Sequence, residues 1–74
     1  MQRLSNLKAG DTAVVQAIHV DSSFLYRLNA LGLKIGKPLE VLRTAPFNGP
    51  LHLRLGSTEL MIRKLDAEMI EVTL

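Results

Sequence analysis

The residues of this chain that could perform chemistry are its two histidines and seven carboxylates. His19 and Asp21 are two positions apart, so on one strand their side chains would project from the same face and could share a metal ion. His52 lies two residues before Arg54, and a neighbouring cation disfavours a second one. The chain has no cysteine and no His-x₃-His pair, so it lacks the clustered ligands of a metal site. His19 and His52 are weak metal candidates, and the sequence predicts neither a metal site nor a bound cofactor.

Two further patterns imitate functional motifs without meeting their requirements. Asp21, Ser22 and His19 are the residue types of a hydrolytic triad, but they are sequence neighbours that nothing orients as a proton relay. The segment from Gly32 to Pro38 looks like a phosphate-binding loop. That motif has four residues between its glycines, ends in Ser or Thr and follows a strand, and this segment does none of these. The sequence therefore predicts no catalytic residue, no nucleotide site and no enzyme.

The composition excludes several classes of protein. Of the 74 residues 47% are apolar, which is enough to form a core. No apolar run approaches the ~20 residues of a membrane span, so no direct membrane insertion is expected. The net charge is only +2, which is not by itself the signature of a nucleic-acid-binding protein. We expect one domain over residues 1–74.

Four basic side chains could still share a face across neighbouring strands: Arg43, Arg54, Arg63 and Lys64. Barrels that bind single-stranded nucleic acids combine such charges with aromatic rings, and this chain has only three aromatic residues. Glu59 is also expected to pair with Arg54. We interpret the stripe as the solvated face of a sheet, expect no nucleic-acid partner, and keep nucleic-acid binding as a third hypothesis.

Glycine and proline residues divide the chain into short segments, a spacing typical of small β-barrels. The expected strands span residues 12–19, 39–44, 51–55, 58–63 and 70–74. Asn48-Gly49 marks a turn that tolerates positive φ, and residues 65–67 form a tight or 3₁₀ turn. A single sheet of this size has two vulnerable edges, and curling into a barrel protects both. The sequence predicts a mainly β fold, a small five-stranded barrel with one short α-helix after the first strand.

The helix is expected over residues 22–31, where apolar residues recur at helical spacing. Asp21, or one of the two serines after it, can cap its start by accepting a hydrogen bond from a free backbone N–H. Gly32 suits the left-handed residue that ends a helix. Leu33 then follows where a Schellman motif places its hydrophobic contact, here back onto Leu28.

The stretch from Leu51 to Arg63 predicts a hairpin, because Gly56-Ser57 fits a two-residue type II′ turn. The facing pairs are then Leu53 with Leu60, Leu51 with Ile62, Leu55 with Thr58, Arg54 with Glu59, and His52 with Met61. One face of this hairpin is apolar and the other carries an expected ion pair between Arg54 and Glu59. A slip of one residue would expose every leucine, so the register is strongly specified.

The order of these signals resembles a known family. The motifs in chain order are Arg27-Leu28-x-x-Leu31-Gly32-Leu33-x-x-Gly36, Arg43-x-Ala45-Pro46-x-x-Gly49-Pro50, Ile62-Arg63-Lys64 and Ala67-x-x-Ile70-x-Val72. From about Leu4 to Leu74 the pattern resembles the FeoA family, the small ferrous iron transport protein A. It is also similar to the C-terminal SH3-like domain of diphtheria-toxin-repressor-type metal regulators. In those regulators a winged helix and a dimerisation domain come first, and a chain that begins at Met1 favours the stand-alone member.

The resemblance implies an SH3-like barrel, a cytoplasmic location and an accessory role in ferrous iron uptake. The implied partner is the membrane iron permease FeoB, which carries its own GTPase domain and which the module would bind and modulate. Nucleotide chemistry would then belong to the partner. The alternative is a metal-responsive regulator-type domain that acts in a transcription complex. A weak homo-oligomer also stays open.

Surplus apolar surface indicates where a partner would dock. The chain has 14 leucines, more than a barrel of this size can enclose, and exposed apolar patches mark partner sites. We expect Leu28 and Leu31 to cover one end of the barrel, and the helix with the turn after it to form the docking surface. The predicted partner-binding residues are Leu25, Arg27, Leu31, Gly32, Leu33, Lys34, Gly36 and Met61.

Overall fold

The computed structural model describes residues 2–74 as one antiparallel sheet with two α-helices and one 3₁₀ turn. In chain order the elements are β1 (Gln2–Arg3), a 3₁₀ turn (Leu4–Asn6), β2 (Thr12–Ile18), α1 (Ser22–Ala30), β3 (Pro38–Thr44), β4 (Leu51–Leu55), β5 (Thr58–Ile62), α2 (Lys64–Ala67) and β6 (Ile70–Thr73). The strand order is β1-β6-β2-β3-β4-β5. The mainly β fold with a short α-helix is confirmed, and this helix follows β2, the strand that the sequence predicts as the first. The expected count of five strands is wrong, because β1 adds a sixth strand at the edge next to β6.

The sheet curls because two of its strands contain irregularities. The pairing of β2 with β6 shifts register between Val15 and Ala17, and that of β3 with β4 shifts between Val41 and Arg43. An extra residue in one strand bends it and increases its twist. The sheet ends at β1 and β5, which do not pair with each other, so within residues 2–74 the barrel is open along one seam.

The core fills the concave side of this curled sheet and consists almost entirely of aliphatic side chains. Leucines of β4 alternate with exposed or half-buried polar residues, as expected for a strand with one buried face. The N-terminal segment also reaches the core, since Leu4 and Leu7 are buried. The buried set is Leu4, Leu7, Ala13, Val15, Leu28, Leu33, Leu39, Val41, Leu51, Leu53, Leu55, Ile62, Ala67, Ile70 and Val72.

The hairpin of β4 and β5 has the register that its sequence predicts. All five expected facing pairs are present, and Gly56 has φ +66° while Ser57 does not have a positive φ, as a type II′ turn requires. The expected ion pair between Arg54 and Glu59 is wrong. Arg54 also faces Glu40 across the pairing with β3, and its Nη2 lies 2.6 Å from Oε1 of Glu40. Glu59 pairs instead with His52, whose Nε2 lies 2.8 Å from its Oε1.

Helix α1 begins and ends as its sequence predicts. Asp21 caps its start, with Oδ1 accepting a hydrogen bond of 2.8 Å from the Phe24 N–H. At its end the Leu33 N–H donates to the Leu28 carbonyl at 3.0 Å, and Gly32 has φ +103°. The Gly32 N–H also donates to the carbonyl three residues earlier, which completes a Schellman motif. Leu33 and Leu28 are both buried, so the motif fixes the helix end onto the core.

Two connections differ from expectation. In the turn between β3 and β4 the positive φ values lie at Phe47 and Asn48, both +59°, rather than at Asn48 and Gly49. Gly49 is needed for space, because a Cβ there would lie 2.6 Å from the Cβ of Ala45. Residues 64–67 form one turn of α-helix rather than a tight or 3₁₀ turn.

Candidate docking groove

A groove runs between α1 and the edge strand β5. Helix α1 forms one wall with one of its faces, β5 forms the other, and the start of α2 closes one end. The lining residues are Phe24, Arg27, Leu28, Leu31, Leu60, Met61, Ile62, Arg63 and Asp66. Leu28 of α1 and Ile62 of β5 are both buried in the same core cluster, so core packing sets the separation of the two walls.

The groove has a buried apolar floor and exposed apolar walls. Leu28 and Ile62 are buried at its base, and Leu60 packs partly against the core. Leu31 is 47% exposed and Met61 is 62% exposed. Both side chains therefore leave apolar surface in water that a partner could cover.

Three charged side chains border the groove, and two of them neutralise each other. Arg63 donates from Nε to Oδ2 of Asp66 at 2.9 Å. The Arg27 guanidinium lies 5.4 Å from the centroid of the Phe24 ring, a cation–π contact. Among residues 2–74 no carboxylate lies within ion-pair distance of Arg27. The groove therefore presents one cation that is available to an anionic partner.

The structure brings together only part of the predicted docking set. Arg27, Leu31 and Met61 line the groove, whereas Lys34 lines a separate hollow with Tyr26 on another side of α1. Leu25 is half-buried and does not line the groove. Of the two leucines expected to cover the barrel end, Leu28 is buried as predicted. For Leu31 the expectation is wrong, because about half of that side chain is exposed.

Leu33 is the clearest correction to the predicted docking set. It is fully buried, because the Schellman contact that the sequence predicts turns its side chain inward onto Leu28. Its role is to hold the helix end, not to touch a partner. Gly32 and Gly36 shape the turn that follows, with φ of +103° and +87°, and the Gly36 N–H donates to the Val15 carbonyl at 2.8 Å.

Six lining residues lie outside the predicted docking set: Phe24, Leu28, Leu60, Ile62, Arg63 and Asp66. A signal existed for the first, since Phe24 precedes Leu31 by seven positions and so lies on the same helical face. Leu60 precedes Met61 on the strand whose register the hairpin had already specified. No local signal places Arg63 and Asp66 beside α1, because that proximity depends on how the sheet curls.

The two histidines lie apart, and each pairs with one glutamate. His19 Nε2 lies 2.5 Å from Oε2 of Glu71 on β6, and His52 pairs with Glu59 on β5. His19 and Asp21 do not form a shared ligand pair, because the Asp21 carboxylate caps α1. Within residues 2–74 no group of three or more histidine, cysteine, aspartate or glutamate side chains is arranged to hold a metal ion.

Comparison with known proteins identifies the family. The family model described as the FeoA domain matches residues 2–74. This chain belongs to the FeoA family. A Porphyromonas gingivalis protein that fuses Fe(2+) transport protein A to the Fe(2+) transporter FeoB is 35% identical to this FeoA domain over 72 residues. The match takes in 97% of this chain but only 8% of the fusion protein.

Solved structures share the fold of this FeoA domain. The solution structure of FeoA from Chlorobium tepidum is 38% identical with a TM-score of 0.92, and covers 99% of this chain and 70% of that one. Stenotrophomonas maltophilia FeoA complexed with zinc, a prokaryotic SH3 domain protein, is 26% identical with a TM-score of 0.80 over 97% of this chain and 89% of that one. A manganese-dependent transcriptional repressor is 25% identical with a TM-score of 0.84 over 99% of this chain and 41% of its own.

These comparisons confirm the SH3-like fold, the family and its link to ferrous iron transport. They also confirm the similarity to part of a metal-dependent repressor. No helix among residues 2–74 combines the length and the apolar character needed to cross a membrane.

Proposed function

We propose that this FeoA domain is a non-enzymatic accessory module of ferrous iron uptake that binds a FeoB-type transporter in the cytoplasm and modulates it. The observation that carries the proposal is the Porphyromonas gingivalis fusion, in which a relative of this domain and FeoB share one polypeptide. Covalent linkage turns a weak contact into an intramolecular one at high effective concentration. A fusion therefore favours two parts that work in contact with each other.

The groove between α1 and β5 is the surface that we assign to this contact. It offers exposed apolar side chains at Leu31 and Met61, and at its border Arg27, which has no carboxylate partner among residues 2–74. Gly32 and Gly36 set the turn that positions the end of the helix. The module would act by population shift, binding one conformation of the transporter better than another. Leu25 and Lys34 lie outside the groove and stay predictions for a wider contact.

The test is binding to the full-length FeoB-type transporter of the same organism, solubilised in detergent. A Leu31→Asp, Met61→Asp double variant places two charges on the apolar walls, and we expect its affinity to fall at least tenfold. The matched control is a Phe47→Asp, Leu74→Asp double variant, which also replaces two exposed apolar side chains but none in the groove. Circular dichroism and urea unfolding check that both variants fold. Equal affinities of the two folded variants would remove the groove from consideration.

A second candidate function is that of a metal-responsive regulator-type domain, which the similarity to the manganese-dependent repressor favours. It requires a DNA-binding partner chain and a metal site on this domain. His19 and His52 are the candidate ligands, each now paired with one glutamate. Calorimetry with Fe²⁺ or Mn²⁺ separates the two functions. Stoichiometric micromolar binding that is lost in His19→Ala or His52→Ala would favour the regulator over the accessory module.

A further inference from the structure

Strand β5 has an open edge. Within residues 2–74 it pairs only with β4. The two-residue turn makes Leu55 and Thr58 a hydrogen-bonded pair, and antiparallel ladders alternate such pairs with non-bonded ones. The backbone groups of Thr58, Leu60 and Ile62 therefore face β4. Those of Glu59 and Met61 face away from it, and neither residue takes part in any other backbone hydrogen bond of the described chain.

This edge carries one charged side chain, that of Glu59, and lacks the other features that usually protect an edge. Edge strands are commonly blunted by proline, lysine, a bulge or a very short length. Strand β5 is five residues long, contains neither proline nor lysine, and pairs with β4 without a bulge. The opposite edge strand, β1, has only two residues. The one long edge of the sheet is therefore protected by a single charged side chain, that of Glu59, which pairs with His52.

Three residues of this edge strand, Leu60, Met61 and Ile62, contribute one wall of the docking groove, and α1 forms the other. An edge strand beside a helix, with an apolar channel between them, is the arrangement into which an extended peptide adds as a new strand. Main-chain hydrogen bonds to the edge then supply affinity, and alternate side chains enter the channel and supply specificity. Here Leu31 and Phe24 lie where the inward side chains of such a strand would make contact.

We propose that the partner contributes an extended segment that pairs with β5 as a seventh strand, with apolar side chains facing α1 and a carboxylate at Arg27. The inference rests on the proposed function and specifies how that contact is made. The carboxylate follows from charge: Asp66 already neutralises Arg63, so Arg27 is the cation of the groove that a partner must match. The backbone groups of Glu59 and Met61 would supply two donors and two acceptors.

The decisive comparison separates the backbone N–H of Met61 from its side chain. Met61→Pro removes an N–H that faces the open edge and leaves the bonds to β4 in place. Edge strands tolerate proline at such a position. Met61→Ala removes the side chain and keeps the N–H. Against the detergent-solubilised full-length transporter, we expect Met61→Pro to weaken binding at least tenfold and Met61→Ala less than threefold. Equal losses in the two variants would overturn strand addition.

Amide hydrogen exchange provides a readout that needs no variant. In the complex with the wild-type domain, we expect exchange at Glu59 and Met61 to slow at least tenfold, while Leu60, already bonded to β4, changes little. Binding without that protection would overturn strand addition and leave the proposed function standing. No binding by the wild-type domain would overturn both. Protection of the same amides in the isolated domain, together with a dimer in sedimentation, would show that a second copy occupies the edge, and would overturn the inference.

The proposed carboxylate of the partner segment is tested by the salt dependence of binding. Arg27→Gln should lower the affinity severalfold and flatten its dependence on salt, because an interaction between charges is screened by ions. Arg43→Gln is the matched control, since Arg43 is exposed and lies outside the groove. An unchanged salt dependence in Arg27→Gln would refute an acidic segment.

Discussion

Two leucines that flank Gly32 should differ greatly in what they contribute to stability. Leu33 is fully buried, whereas Leu31 is 47% exposed. Leu33→Ala removes three buried carbons at about 0.8 kcal/mol each, so about 2.4 kcal/mol of transfer free energy. The unfilled volume raises the total cost to about 2–5 kcal/mol. A chain of this length has a stability of about 4–11 kcal/mol, so this one change should remove a large part of it.

Leu31→Ala should cost no more than about 1 kcal/mol, because much of its side chain is already in water. Urea unfolding of the wild type and of each variant measures both losses. The slope of the free energy of unfolding against urea concentration should stay constant while the midpoint falls. This distinguishes lower stability from a change in the compactness of the unfolded state. A loss below about 1 kcal/mol for Leu33→Ala at constant slope would refute the burial of Leu33. So would equal losses for the two leucines.

Two local features yield further predictions. Asp21→Ala should destabilise the domain by about 1 kcal/mol, because the Phe24 N–H loses its acceptor, whereas Asp21→Asn should retain most of the stability. Thermal unfolding followed by circular dichroism compares the two variants. Equal melting temperatures would contradict the role of Asp21 as the helix cap. Phe47→Asn should stabilise the domain by up to about 1 kcal/mol, because asparagine tolerates a φ of +59° better than phenylalanine, and the Phe47 side chain is 99% exposed and so packs on little. A lower urea midpoint for Phe47→Asn, with no comparable fall in the exposed control Leu74→Asn, would count against this account.

The features that could be predicted from the sequence are those whose causes are local. The hairpin register follows from a two-residue turn and the alternation beside it, and α1 follows from a cap, a helical spacing and Gly32. Strand β1 had no such signal. It has two residues, and its partner Val72 lies at the other end of the chain, so only the folded sheet defines it. The predicted ion-pair partner of Arg54 was wrong for a related reason. The hairpin sequence alone does not reveal that Glu40 on β3 lies beside Arg54, on the side of β4 away from β5.

The site could be predicted only in part, because burial and neighbourhood are properties of the whole fold. Arg27 lies on α1 as predicted and Leu31 is its C-cap residue, but the wall opposite them depends on the curl of the sheet. The contact of Leu33 with Leu28 already indicated burial, and that local evidence outweighs the expectation that Leu33 meets a partner. The sequence spacing of His19 and Asp21 did not reveal that the Asp21 carboxylate caps α1 while His19 pairs with Glu71.

The pairing of β1 with β6 brings the two ends of the domain to one margin of the sheet, where Gln2 faces Val72. A covalent tether would therefore leave from nearly the same anchoring point whether it was joined at the front of the domain or at the back. Gene fusions in either order would present the groove in a similar way, and a free copy supplied in trans could do the same without any tether.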